Sequence, residues 1–397
     1  MRRIGFVIFL SLVLYPVSRL GATTSLGGKG LIHTQSARVL PKGYVTWFLG
    51  SKFFGKVAQF GVSETAFTLW NVQGFMSFNW GVNTHLELAV SPVFYQDTNR
   101  GGTGFTKESV NFPDDLFLGV KLGSFGSLES PFLFGCQLTA RIPTAKKHNI
   151  IYEPYSAGRL EIGVAGMASY FSNTVFPDDG WSAHFNLEYL NHNDVGKNLI
   201  SDSPQQATAV DNPKPVSMSS EMILGIGFLY PTGTFDFSGE IHGRYFLVRP
   251  PVTAYSAESV TVLTAGIYYH PYPWVTFEMG MDVRLFSEAD KSVYAPLTPL
   301  SPPPNPDFPN YPSWRGVLGM KLAVLPTSLY ASRERKQLEK SATDRRLLLE
   351  KMMKDQKGTE DTESELSRIR SERQRVEEEL QRLRKLLEEE KKKKDGE

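Results

Sequence analysis

The sequence predicts an all-β membrane protein: an antiparallel, up-and-down transmembrane β-barrel of about 12 strands, followed by a C-terminal α-helical coiled-coil tail. Three observations carry this. Between Tyr44 and Val324 the side chains change character every second residue, in segment after segment. The connections between those segments alternate between short and long, and charge is concentrated beyond Ser332.

The alternation is plainest where Phe235, Phe237, Ile241 and Tyr245 take odd positions while Asp236, Ser238, Glu240, His242 and Arg244 take even ones. Successive strand side chains point to opposite faces, so period two separates two environments that a helix would mix. The pattern returns with Leu86, Leu88 and Val90 against His85, Glu87 and Ser91, and with Val275 to Leu285 against Thr276, Glu278, Asp282 and Arg284. Phe132, Phe134, Cys136, Leu138 and Ala140 against Gln137, Thr139 and Arg141 repeat it. Such segments run about ten residues or more, enough for a tilted strand to cross a bilayer core.

Twelve strands are expected to start near Tyr44, Phe67, His85, Asp115, Pro131, Ala157, Trp181, Ser219, Thr234, Glu258, Trp274 and Trp314. An even number suits a bacterial single-chain barrel. The register after Glu258 stays open, because Val260, Val262 and Tyr268 are apolar on one parity and Leu263, Ala265, Ile267 and Tyr269 on the other.

The second-to-third, fourth-to-fifth, sixth-to-seventh, eighth-to-ninth and tenth-to-eleventh connections are short, as in Pro231-Thr232-Gly233. Asp97 to Pro113, Asn193 to Met218 and Ser287 to Ser313 are long and polar. Outer-membrane barrels keep short turns in the periplasm and long loops outside, which would put both barrel ends in the periplasm. Aromatic residues near strand ends, Phe53, Phe54, Trp80, Phe94, Tyr95, Trp181, Tyr230, Phe235, Tyr272, Trp274, Phe286 and Trp314, have the spacing of two interfacial girdles.

The first residues fit export: basic Met1-Arg2-Arg3, apolar Ile4 to Val17 and small Gly21-Ala22 make residues 1–22 a signal peptide. No cysteine lies there, which argues against a lipoprotein signal. Residues 23–42 are expected to be a periplasmic lead segment, 43–326 the barrel and 327–397 the tail.

Of 43 Lys+Arg and 42 Asp+Glu, residues 332–397 hold 20 and 18, leaving the barrel charge-poor. A formal net charge of +1, with no one-sided basic excess, argues against nucleic acid as a partner. With Cys136 the single cysteine, neither an intramolecular disulfide nor a cysteine metal cluster can form. No Gly-x-Ser-x-Gly, His-Glu-x-x-His or Gly-x-x-x-x-Gly-Lys stretch points to an enzyme, and no cofactor is implied.

In the tail, Leu366, Ile369, Val376, Leu380, Leu383 and Leu387 follow a three-four spacing, with Glu378 and Arg382 four apart. That is an amphipathic helix with heptad character, suited to a homo-oligomer or a periplasmic partner; a solitary ion-paired helix is the other outcome. An earlier block, Leu338 to Met352, falls out of phase near 357–362, by a stutter or a hairpin.

The stretch Gly30-Leu31-Ile32-His33-Thr34-Gln35-Ser36-Ala37-Arg38-Val39-Leu40-Pro41-Lys42-Gly43, with Asn83 to Leu88 and Leu118 to Gly123, resembles porin-like barrels of Gram-negative bacteria of the OmpA-associated type. The resemblance covers about three quarters of the chain and implies an outer-membrane location. OmpA-type members end in a globular peptidoglycan-binding domain; residues beyond Ser332 hold only the helical tail, so that property does not transfer.

The polar parity assigns Glu87, Lys121, Arg141, Arg159, Glu161, His184, Glu188, Glu240, Arg244, Glu278, Asp282, Arg284 and Lys321 to the lumen. An Arg or Lys facing lipid near the midplane would cost roughly 2–4 kcal/mol. Either these charges line a water-filled pore, making a porin-like channel for small solutes, or they pair across a plugged lumen and the barrel merely anchors the tail.

Overall fold

The computed structural model describes residues 24, 27–59, 66–101, 109–127, 130–150, 152–199, 214–252, 254–289, 311–326, 347–348 and 363–394. The expected signal peptide, the Pro302-Pro303-Pro304 loop and the tail break at 357–362 lie outside these residues. The chain divides into two units, Met1–Leu329 and Tyr330–Glu397.

The first unit is one antiparallel sheet: β1 (Val45–Gln59), β2 (Ala66–Gly81), β3 (Leu86–Gly101), β4 (Ser109–Asn111), β5 (Leu116–Phe125), β6 (Phe132–Ile142), β7 (Glu161–Phe171), β8 (Ser182–Asn191), β9 (Ser220–Pro231), β10 (Phe235–Val248), β11 (Val260–Tyr272), β12 (Val275–Ser287) and β13 (Trp314–Leu325). The three-residue β4 pairs only with the upper part of β3, while β3 continues its ladder with β5. β1 pairs with β2 on one side and with β13 on the other, Phe48 opposite Lys321, which closes a 12-stranded barrel.

Eleven of the twelve strand starts fall within two residues of expectation. The exception is β7, which begins at Glu161 rather than near Ala157. Ala157 is buried with Tyr155, Leu199, Ala254 and Ala257 in a cluster built by the long connections, so those residues pack instead of extending a strand. The open register also resolves: along β11 Thr264, Gly266, Tyr268 and His270 are buried, and Leu263, Ala265, Ile267 and Tyr269 are exposed.

The barrel is inside out relative to a water-soluble protein. Phe134, Leu138, Val164, Leu187, Ile226, Phe237, Met279 and Leu318 are exposed on its exterior, while the alternate positions are buried and polar. The sheet closes on itself through β1 and β13 and so has no free edge strand, as a hydrocarbon solvent requires. Cys136 is exposed on the exterior. Trp80, Trp181, Tyr230, Phe235 and Tyr272 are exposed at the short-turn end, as a girdle requires. Phe54 departs from the girdle: it faces inward at 3% exposure against Tyr152, ring centroids 5.3 Å apart.

In the second unit the principal element is α1 (Glu363–Lys394), a single helix in which Arg373 Nε donates to Glu377 Oε1 at 3.2 Å. Ile369 is buried and Val376, Leu380 and Leu383 are half-buried among exposed neighbours. The side chains of Leu366 and Leu387 are outside the described set. The expected coiled coil is reduced to one helix here, because a seam needs a second strand to pack against.

Candidate functional site

Of the stretch expected to be a periplasmic lead, Gly27 to Leu40 lies inside the barrel. Leu31 donates to the Thr34 carbonyl at 2.7 Å and Gly30 bridges Gln35, making a tight hairpin that crosses the lumen. One side of the barrel holds its base. Glu87 of β3 accepts the Lys29 amide at 3.0 Å and the Leu40 amide at 2.8 Å, Asn79 of β2 accepts Gly28, and Lys121 of β5 donates to the Lys29 carbonyl at 2.7 Å.

The opposite side holds its tip. Glu240 of β10 accepts three consecutive main-chain amides, Ile32 at 2.8 Å, His33 at 3.0 Å and Thr34 at 2.7 Å. His33 Nε2 reaches Asp282 of β12 at 2.9 Å and its ring stacks on His242, centroids 5.1 Å apart. Asn186 of β8 pairs with both the amide and the carbonyl of Gln35. The apolar tip is seated too: Ile32 packs with Tyr268, Val317 and Leu229. A Cβ on Gly266 or Gly280 would collide with the Ile32 side chain, and one on Gly227 with Leu31, so these inward glycines form the hollow that receives the tip.

Outside the strands, Asp178 in the β7–β8 connection binds Lys29 Nζ at 3.0 Å and Arg38 Nη1 at 2.8 Å. Burial alone would raise its pKa, but Arg38 and Lys29 hold the carboxyl well below the usual carboxylate range.

Toward the long-loop end the hairpin bounds a cavity of about 250 Å³, into which His33, Gln35, Lys52, Arg141, Glu161, Glu188, Arg244, Asp282, Arg284 and Arg315 project. Several of its charges are matched within the wall. Arg141 binds Asp115 at 2.7 Å and Glu161 at 3.6 Å, and Arg244 binds Glu221 at 2.7 Å. His192, just beyond β8, contacts Glu221 at 3.0 Å and Glu161 at 3.4 Å. Burial opposes its protonation, but these carboxylates outweigh it and raise the imidazole to about 9. Asp114, before β5, is pushed up to about 7 by burial and by Asp115 and Glu153.

The candidates chosen by parity therefore separate. Glu87, Lys121, Glu240 and Asp282 grip the hairpin, while Arg141, Glu161, Glu188, Arg244 and Arg284 line the cavity. His184 is buried between Ser169 and Ser182, at 2.8 and 3.0 Å. Glu278 and Lys321 are buried on neighbouring strands. Arg159 is not on a strand: it is exposed in the connection before β7, because the strand starts at Glu161, four residues later than expected. The hairpin itself, its glycine hollow, Asn79, Asn186 and Asp178 escaped sequence reasoning. The positive φ of Gly27 and Gly28 marks a folded rather than extended lead, but φ is invisible in sequence. The stretch that carries the family resemblance is largely the stretch inside the barrel.

No protein-family model and no curated protein matches the chain. Among solved structures it is similar to an outer membrane channel from Pseudomonas putida F1, at 11% identity and a TM-score of 0.45, over 72% of this chain and 97% of that one. The Ralstonia pickettii toluene transporter TbuX aligns at 11% identity and TM-score 0.35 over 79% and 99%. The translocator domain of the autotransporter NalP from Neisseria meningitidis aligns at 7% and 0.36 over 71% and 88%.

Proposed function

We propose that the protein is an outer-membrane channel for small solutes, closed at rest by its own N-terminal hairpin. The observation that carries this is the way the lumen is filled. A barrel needed only as an anchor would serve with side chains packed across it; here a chain segment is inserted, held mostly by polar contacts, with a polar cavity behind it. About eight strands leave an interior that side chains fill, and twelve leave room for such a segment.

In this proposal the short turns face the periplasm and the long loops the exterior, so the hairpin closes the periplasmic half and Asp178 latches it there. The tail lies in the periplasm, where its seam pairs with a second copy or docks to another envelope component.

Planar-bilayer recording tests the proposal. The full chain should be almost silent, and a variant with Leu31–Gln35 replaced by five alternating glycines and serines should give single-channel steps. Silence from the variant, with heat-modifiable migration proving a folded barrel, would leave the non-conducting anchor as the function.

A further inference from the structure

Two part-buried cations of the cavity wall have no carboxylate partner among the described residues. Arg284 of β12 donates to the Tyr311 carbonyl at 2.8 Å, and Arg315 of β13 donates to the Tyr152 carbonyl. Among the described residues no carboxylate is within ion-pair distance of either, whereas Arg141 and Arg244 in the same wall are both paired. Arg315 Nε is buried with no acceptor among the described residues. The ladder sets Arg315 opposite Asp282, two residues from Arg284, so the two guanidiniums belong to one patch. A guanidinium away from bulk water favours a carboxylate fork above a single carbonyl.

The rest of the cavity says what that carboxylate carries. Tyr152, Tyr311, Leu190, Ile223, Val260 and Val262 give the lining apolar faces beside the cationic patch. A volume of about 250 Å³ equals roughly eight waters at about 30 Å³ each, below the range of drug-sized pockets. On the acidic side Glu153 is already engaged by Asn71 at 2.6 Å and Gln73 at 3.2 Å, and Asp114 by Asn111 at 3.2 Å. Glu188 also lines the cavity, and its charge disfavours a second anionic group on the guest.

We infer that the cavity is a binding site for a small organic monocarboxylate with an apolar body, its carboxylate taken by Arg284 and Arg315. This deepens the channel proposal and rests on it for the route of entry.

Equilibrium binding to the detergent-folded full chain tests it, with benzoate as the probe, benzamide as its neutral isostere and phthalate as its dianion. Benzoate should saturate and bind at least tenfold more tightly than either analogue. Arg284→Gln with Arg315→Gln should weaken benzoate at least tenfold and leave benzamide unchanged. Equal binding of benzoate and benzamide, or benzoate binding untouched by the double substitution, would overturn the inference. Should the double variant fail to show heat-modifiable migration, the wild-type comparison of the three probes decides alone. The two proposals fail separately: a full chain without preference for benzoate, beside a hairpin-replaced barrel that conducts, sinks the site, and a full chain that binds benzoate preferentially, beside a hairpin-replaced barrel that stays silent, sinks the channel.

Discussion

Replacing Glu240 by Gln should release the hairpin. The Glu240 side chain is 1% exposed and accepts three main-chain amides, two of them on Oε2. A glutamine does best by keeping its oxygen toward His33 and Thr34, which turns its own NH₂ against the Ile32 amide. One charge-assisted bond is then lost, worth about 1.5–3 kcal/mol, and two others fall to neutral strength, at about 1 kcal/mol each. The closed state is destabilised by about 3–5 kcal/mol, and at about 1.4 kcal/mol per tenfold the released population rises at least a hundredfold.

The reporter is Ser36→Cys in a Cys136→Ser background, since Ser36 is buried at 3% in the hairpin and differs from cysteine by one atom. Its reaction with a membrane-impermeant maleimide follows the released population when reclosing is faster than labelling. A hundredfold faster reaction in Glu240→Gln is expected. Equal rates in two barrels that both migrate as folded would refute the claim that this carboxylate holds the hairpin.

Gly280→Val should also raise Ser36→Cys labelling while the barrel stays heat-modifiable, because the new side chain takes the place of Ile32 without touching the ladder; unchanged labelling would show that the hollow is not needed. Asp178→Asn should raise labelling only about five- to tenfold, since that carboxylate is 32% exposed and its pairs are partly screened. His192 is raised above the ordinary imidazole value, so its contribution is complete below about pH 6.5 and fades as pH rises through about 9. Trypsin cleavage at Lys146 or Lys147, in the connection whose Tyr155 packs on His192 at 4.8 Å, should therefore increase from pH 7 to 10 relative to a His192→Gln control. A constant ratio would exclude the histidine as the loop's support. A peptide spanning Glu363 to Lys392 should gain helicity with concentration and lose that gain on Leu380→Asp with Leu383→Asp; concentration-independent helicity would leave the tail a solitary helix.

The barrel was legible in sequence because each strand residue meets one of two solvents, and that choice is written in its side chain. Where the inside is itself apolar the writing blurs. Val260 and Val262 line the cavity, which is why both parities of β11 read as apolar. Phe54 was misplaced for the same reason, an aromatic used inside against Tyr152. The hairpin was not legible because its hold on the wall uses main-chain amides, which every sequence possesses. The carboxylates that receive them, Glu87 and Glu240, were recognisable as lumen residues, but nothing in their spacing names the donor.

That choice of attachment also bears on how the closed state can be reversed. If the hairpin withdraws, water can satisfy Glu87, Glu240 and the freed amides in a hydrated lumen, so each hydrogen bond is exchanged rather than lost, at a net of about 1.5–3 kcal/mol for a bond to a charged carboxylate. The contact water cannot replace is the apolar seat of Leu31 and Ile32, both at 1% exposure or less. Fully burying two such side chains contributes about 3–6 kcal/mol. Moving a two-state equilibrium from 1:99 to 99:1 takes about 5.5 kcal/mol. A closure held by exchangeable hydrogen bonds and by two aliphatic side chains in a glycine hollow is therefore firm without a trigger and able to withdraw into a hydrated lumen. A lumen closed by charges paired wall to wall would offer no such withdrawal, because its groups are fixed to the strands that form it.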